Sequence, residues 1–272
     1  MRRAVLILKR SLAVFGGYLV LALLFVGFSG EVSAVDWRTA SRAPAGFAPD
    51  PATTPEAVVQ VYAARTIGWR GYVSVHTWIA VKPTGAAQFV VYDVFGWQLD
   101  RAGTVVRASD RAPDGRWYGA LPQVLSDVRG PGVDAIIARI RAAVAAYPYA
   151  KTYHAWPGPN SNTFTAWVLR AVPELRVDLP GLAIGKDFLG WRPVARSPSG
   201  TGGQLNLFGL AGVLVGWEEG LEVNVAGLVF GVNPKRLALN LPVIGNLGDR
   251  KNAQPRRIDA APTETRPSQP QS

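Results

Sequence analysis

Ser161 stands between two asparagines, Asn160 and Asn162, and the only histidines of the chain are His76 and His154. None of the 272 residues is a cysteine, which excludes thiolate nucleophiles, disulfides and Cys-ligated metals. A serine hydroxyl attacks a carbonyl only with a general base beside it. His76 is the first candidate for that base and His154 the only other histidine. A helix opening at this serine would add the positive end of its dipole, which stabilises charge developing on the nucleophile or its tetrahedral adduct. A third group should orient the imidazole. Asp93, on the strand after that of His76, is the choice, with Tyr92 as the fallback. The chemistry on offer from these residues is nucleophilic attack by a Ser–His dyad. Each residue also has a simpler role: Asn160-Ser161-Asn162 before an apolar-periodic run is how a helix cap is written. His76 serves equally as a hydrogen-bonded histidine at a sheet surface, and Asp93 as a solvated strand-end carboxylate. Two histidines and no suitable carboxylate spacing leave no metal site, and no cofactor is implied.

The elements that position these residues follow from periodicity. Gly71 to Lys82 reads as a strand, with Val73, Val75, Thr77, Ile79 and Val81 on one face and Ser74, His76, Trp78 and Lys82 on the other. His76 is therefore expected on the more polar, accessible face, titrating near neutrality. Strands are also expected at Ala57 to Thr66 and Gln88 to Trp97, with a further pair near Thr104 to Arg107 and Arg116 to Tyr118 across Asp114-Gly115. Ile136, Ile137, Ile140 and Val144 mark a helix over Val133 to Tyr147, which Pro148 stops. Some eighty residues after His76, Tyr153 to Trp156 forms a short strand with His154 and Trp156 on one face. A Pro157-Gly158-Pro159 loop then leads into a helix over Asn162 to Val172. From Pro180 on, glycines recur among apolar β-formers, predicting a Gly-punctuated meander with a turn at Trp217-Glu218-Glu219-Gly220.

At Val75-His76-Thr77-Trp78-Ile79-Ala80-Val81 and Pro159-Asn160-Ser161-Asn162-Thr163-Phe164 the chain resembles the circularly permuted branch of the NlpC-like, papain-related hydrolases, which includes PPPDE-like domains and relatives of lecithin–retinol acyltransferase. The resemblance spans about residues 57 to 170. It places His76 at the family's histidine and Ser161 at its catalytic cysteine, with Asn160, Asn162 and Phe164 matching the neighbours. It implies an α+β fold, with a permuted papain-like core (57–172) of antiparallel sheet packed on two helices, completed by the β-rich part (180–248). A serine hydroxyl has a pKa far above that of a thiol, so the substitution weighs against catalysis. The chain as a whole also resembles an uncharacterised bacterial membrane-associated family, a domain of unknown function.

Around this single domain, 56–248, lie three other segments. Arg2, Arg3, Lys9 and Arg10 precede eighteen uncharged residues, Ser11 to Phe28, long enough to anchor in a membrane. Val32-Ser33-Ala34 leaves a cleaved signal open. With the basic residues inside, the remainder lies outside the cytoplasm, held by a single pass in the inner membrane. Residues 31–55, rich in Ala and Pro, read as a linker, and 249–272 as a disordered tail. The net charge of +10 does not indicate nucleic acid. Four positive charges precede the membrane segment, the tail has five Lys/Arg against three acids, and about +4 is spread over the body without a basic stripe.

Three functions fit these residues. One is a non-catalytic envelope protein that binds a peptide, glycan or lipid through Asn160, Asn162, His154, Trp156, Trp78 and Tyr92, with Trp69, Trp97, Trp117 and Trp167 as further stacking surfaces. The second is a Ser161/His76 hydrolase or acyltransferase. The third is a structural membrane-associated protein whose Gly-rich half contacts lipid or a partner. Membrane lipid is the partner expected of the N-terminal helix. The oligomeric state is not legible.

Overall fold

The computed structural model describes residues 2–32, 35–248 and 251–259. Ser33 and Ala34 of the cleavage-site reading, and residues 249–250 and 260–272 of the tail, lie outside the described residues.

The architecture is mixed α+β, with two sheets, mainly antiparallel, and an apolar N-terminal helix. That helix, α1 (Arg2–Ser29), contains a stretch from Val5 to Ser29 long and apolar enough to cross a membrane. The first sheet comprises β1 (Val58–Arg65), β2 (Val75–Lys82), β3 (Val90–Val94), β4 (Val106–Ser109), β5 (Gln123–Arg129) and β13 (Arg256–Arg257), in the order β13-β5-β1-β2-β3-β4. Its neighbours are antiparallel except β13, which runs parallel to β5. A single helical turn, α2 (Leu99–Ala102), follows β3 and ends in left-handed Gly103. The helices α3 (Val133–Ala145) and α4 (Ser161–Ala171) cover one face of this sheet, where Ile136, Ile137, Ile140, Phe164 and Leu169 pack on Val59, Val61, Ile79 and Val81.

Both faces of β1 and β2 are buried, which explains their near-continuous apolar runs. The second face is roofed by the loop 111–120 and by the stretch read as a linker. Asp114 accepts from the backbone N–H groups of Phe47 and Ala48, at 2.6 and 3.2 Å. Arg116 and Gly119 donate to the carbonyls of Ala43 and Ser41. Residues 41–48 are thus folded onto the domain. The second strand of the pair expected at 116–118 is absent, and β4 pairs instead with β3. Loop residues 111–120 contribute only isolated bridges, Trp117 with Ala120 and Gly115 with Pro44. The strand read from Gly71 begins at Val75, after a 3-10 turn at Gly68–Tyr72. Part of the tail is ordered as well: Ile258 packs on the main core beside β13.

The second sheet is an up-and-down meander in chain order: β6 (Val194–Arg196), β7 (Gly202–Leu207), β8 (Ala211–Gly216), β9 (Gly220–Val225), β10 (Leu228–Asn233), β11 (Ala238–Leu241) and β12 (Gly245–Leu247). Each apolar run of the sequence is two strands folded back on themselves. Ala226 and Gly227 have φ of 53° and 82°, the two left-handed residues of a tight hairpin turn matched to strand twist.

Candidate functional site

The N-terminus of α4 is assembled by two asparagines. The side-chain oxygen of Asn160 accepts from the backbone N–H groups of Asn162 (2.9 Å) and Thr163 (3.2 Å), while the hydroxyl of Thr163 accepts from the backbone N–H of Asn160 (3.1 Å). This reciprocal capping box makes Asn160 the cap. The amide nitrogen of Asn160 donates to the carbonyls of Ala155 and Ile184. Asn162 accepts from the Thr77 hydroxyl (3.0 Å) and donates to the carbonyls of Val75 (3.0 Å) and Ile184 (2.8 Å). Asn162 therefore ties α4 to β2, and both amides tie it to the 184–185 turn. Gly185 completes the seat: its φ is +92°, and a Cβ there would collide with the Asn160 amide.

Ser161 is the first helical residue. It is buried, and its hydroxyl makes no hydrogen bond to any described residue. Capping does not occupy it.

His76 does not meet it. On β2 the odd positions face the helices: Thr77 bonds Asn162, and Val75 and Ile79 join the core that holds Phe164. His76 points to the opposite face, as period-two alternation requires. There its ring stacks on Trp117 at 3.7 Å and 9°, and it is flanked by Phe95 and Trp78 at 5.7 and 5.9 Å. The face expected to be accessible is roofed by loop 111–120, leaving His76 only 5% exposed, with Nε2 buried and without a partner. Burial, seconded by the charge of Arg111, holds its pKa well below the ordinary imidazole value, not near neutrality. A base so weakened is ill suited to deprotonating a hydroxyl.

Asp93 is on the same face as His76 but serves another residue. Its carboxylate accepts from Arg111 Nε and Nη2 at 3.2 and 3.1 Å. Burial raises its pKa to about 6, against the pull of Arg111. The expected solvated carboxylate is fully buried. Tyr92 lies on the other face, against the helices. Trp78 is fully buried, and its indole donates to the carbonyl of Pro113 at 2.7 Å. His154 is exposed on the loop, and its backbone N–H donates to the carbonyl of Pro159. Trp156, 55% exposed, donates from its indole to the carbonyl of Ala226 and so ties this loop to the meander. Trp167 donates to the Ala143 carbonyl between α3 and α4.

Residues 56–188 match the family model DUF3750, described as a protein of unknown function. No curated protein and no solved structure matches the chain. The DUF3750 stretch contains the whole α4 seat, from Val75 through Gly185, and ends before β6.

Sequence reading missed Arg111 and Arg107. Arg111 lies over the Trp78 and Trp117 rings at 4.8 and 5.8 Å, and Arg107 over Phe95 at 5.9 Å. Arg101 reaches over Trp97, which is 48% exposed, and Arg42 over Tyr118. The result is a rim of rings and guanidinium groups above the second face of the sheet. Nothing in residue spacing marks these arginines, because loop 111–120 brings Arg111 there and the pairing of β4 with β3 brings Arg107. Also missed was a buried network beneath the meander. Lys186 donates to Asp187 and Glu222, Asn240 donates to Glu222 (2.9 Å), and Asn224 donates to Asp187 (3.1 Å). Burial opposes the charge on Lys186, but Asp187 and Glu222 outweigh it and raise its pKa. Among the described residues, no three His, Asp or Glu side chains gather as metal ligands.

Proposed function

We propose that this protein is a membrane-anchored, non-catalytic binding protein of the cell envelope, built on a permuted papain-like layout and taking an acidic glycan on its Trp/Arg rim. The observation that carries this reading is the dispersal of the three candidate catalytic residues. His76 stacks on Trp117, Asp93 pairs with Arg111, and Ser161 sits across the sheet from both. The papain-like layout is supported by the chain order, with the β2 backbone bonded to the opening of α4. The choice of ligand follows from the rim: the exposed ring of Trp97, continued by half-buried Trp117 and Tyr118, suits sugar faces, and Arg101, Arg107 and Arg42 suit carboxylates. Residence in the inner membrane, with the domain on its outer side, is supported by the apolar span and the basic residues ahead of it.

One observation favours the alternative of a serine hydrolase or acyltransferase: the Ser161 hydroxyl is left uncommitted at a helix N-terminus. Treating the full chain with a fluorophosphonate and weighing it separates the two. The binding reading expects no adduct, together with a change in tryptophan emission on titration with acidic oligosaccharides that Trp97→Ala abolishes. An adduct lost in both Ser161→Ala and His76→Ala establishes the hydrolase instead.

A further inference from the structure

The meander has its polarity reversed. Its inward side chains are largely polar, with Gln204, Asn206, Glu222, Asn224 and Asn240 buried beside Leu214 and Val229. Its outward side chains are apolar. One rung, read through the registers, runs Val194, Leu205, Val213, Val223, Phe230 across five adjacent strands. The first four are between 39% and 64% exposed. At a strand spacing of about 4.8 Å, this single rung is roughly 19 Å wide, and the rungs beside it are apolar too. Soluble monomers rarely expose a continuous apolar surface of this extent.

The rung ends at α1. Phe15 lies 6.1 Å from the Phe230 ring, and the Tyr18 hydroxyl donates to the carbonyl of Pro242 at 2.6 Å. Ala22 and Val26 are buried against Val243. These contacts come at residues 15, 18, 22 and 26, inside the apolar stretch Val5–Ser29. Val14, Val20, Leu21, Leu24 and Phe25 on the other sides of the helix are exposed. Whatever surrounds α1 at that depth therefore also meets the face that starts at Phe230.

We propose that the outer face of the meander docks into the lipid leaflet that α1 enters. Acyl chains cover its aliphatic side chains, while the polar network with Lys186 stays on the protein side. The sheet lies on the leaflet and does not cross it, because its open edges β6 and β12 would carry unpaired backbone groups into hydrocarbon. Exposed tryptophans flank both ends of the face. Trp191 packs edge-on against Phe208 at the β7–β8 turn, and Trp217 is at the β8–β9 turn beside Lys235. Tryptophan favours the membrane–water boundary. This inference is independent of the ligand on the Trp/Arg rim.

The absence of cysteine makes site-specific labelling direct. The full chain carrying Val223→Cys, labelled with an environment-sensitive fluorophore, is placed in phosphatidylcholine–phosphatidylglycerol vesicles, beside Gln88→Cys at an exposed turn of the first sheet. The label at 223 should shift to the blue, lose most of its emission to acyl-brominated lipid and ignore soluble iodide, whereas the label at 88 does the reverse. Quenching of both labels by iodide overturns the proposal. So does protection at 223 from both quenchers, which would place a second copy on the face. Adding Val213→Lys and Val215→Lys, both outward and exposed, leaves α1 inserted. The label at 223 should then become open to iodide. If it stays in lipid, α1 alone sets its depth and the proposal falls.

Discussion

Replacing His76 with phenylalanine tests whether this histidine is an aromatic of the core or a working base. The variant keeps a ring against Trp117 and removes Nε2, a buried nitrogen without a partner. Desolvating such a group costs about 1–3 kcal/mol, so at pH 7.5 the variant should be at least as stable as wild type. Each kcal/mol gained raises Tm by roughly 2–4 °C in a domain of this size. The acid limb is the sharper readout. An unfolded histidine takes up its proton near pH 6.5, while burial and Arg111 keep the native ring neutral well below that. Below pH 6.5 the unfolded chain therefore binds one proton more than the native one. Native stability is lost as pH falls, by up to about 1.4 kcal/mol per pH unit, until the native pKa is reached. His76→Phe should abolish that part of the slope. Urea unfolding followed by tryptophan fluorescence at several pH values above and below about 6.5, the pKa of the unfolded histidine, measures both quantities. A variant less stable by more than about 1 kcal/mol at pH 7.5, or one whose acid slope matches wild type, refutes the reasoning and returns His76 to a polar role.

Three further outcomes follow from the buried charges and from the α4 seat. Lys186→Met leaves Asp187 and Glu222 facing each other unpaired and should cost about 3–5 kcal/mol in urea unfolding. Adding Asp187→Asn and Glu222→Gln should restore most of it, and the absence of rescue would refute the pairing. Asp178, raised to about 8 by burial and by Glu222, is protonated in the fold but ionised in the unfolded chain above about pH 3.8. Its contribution therefore falls as pH rises between those values and levels off above 8. The stability of Asp178→Asn relative to wild type should climb across that window, and a flat difference contradicts the assignment. Gly185→Ala puts a Cβ into the Asn160 amide at a φ of +92°. It should lower stability by about 1–3 kcal/mol, and an unchanged Tm would mean that the seat is looser than described.

Elements governed by local periodicity were legible in the sequence: α3 from its isoleucines, β1 and β3 from their β-branched runs, and the meander from alternation with glycine turns. The α4 seat was half legible. Asn160 and Asn162 stood out beside Ser161 as the opening of a helix, but the acceptors they needed were carbonyls at Val75 and Ile184, and backbone carries no sequence signature. Alternation correctly placed His76 opposite Val75 and Thr77. It could not say which face α4 would cover, because that depends on the chain path between residues 82 and 160. Polar residues at 74, 76 and 82 suggested water on their side. The structure instead brings Trp117 and Arg111 over it, from a loop whose turn residues gave no hint of that reach.

The meander shows the same limit in its strongest form. Leu221-Glu222-Val223-Asn224-Val225 alternates cleanly, and in water such a strand would turn its aliphatic side inward. Here Glu222 and Asn224 are inside. The inversion is stable on the protein side because Lys186, Asp187, Asn206 and Asn240 supply partners for almost every inward polar group. A register slip of one residue would expose those charges and bury valines where Lys186 waits. The polar network therefore fixes which side the aliphatic face is on, and that side is the one against which α1 lies. Under the proposed docking, solvent polarity and not residue pattern decides the inward face, and α1 is the part of the chain that names the solvent.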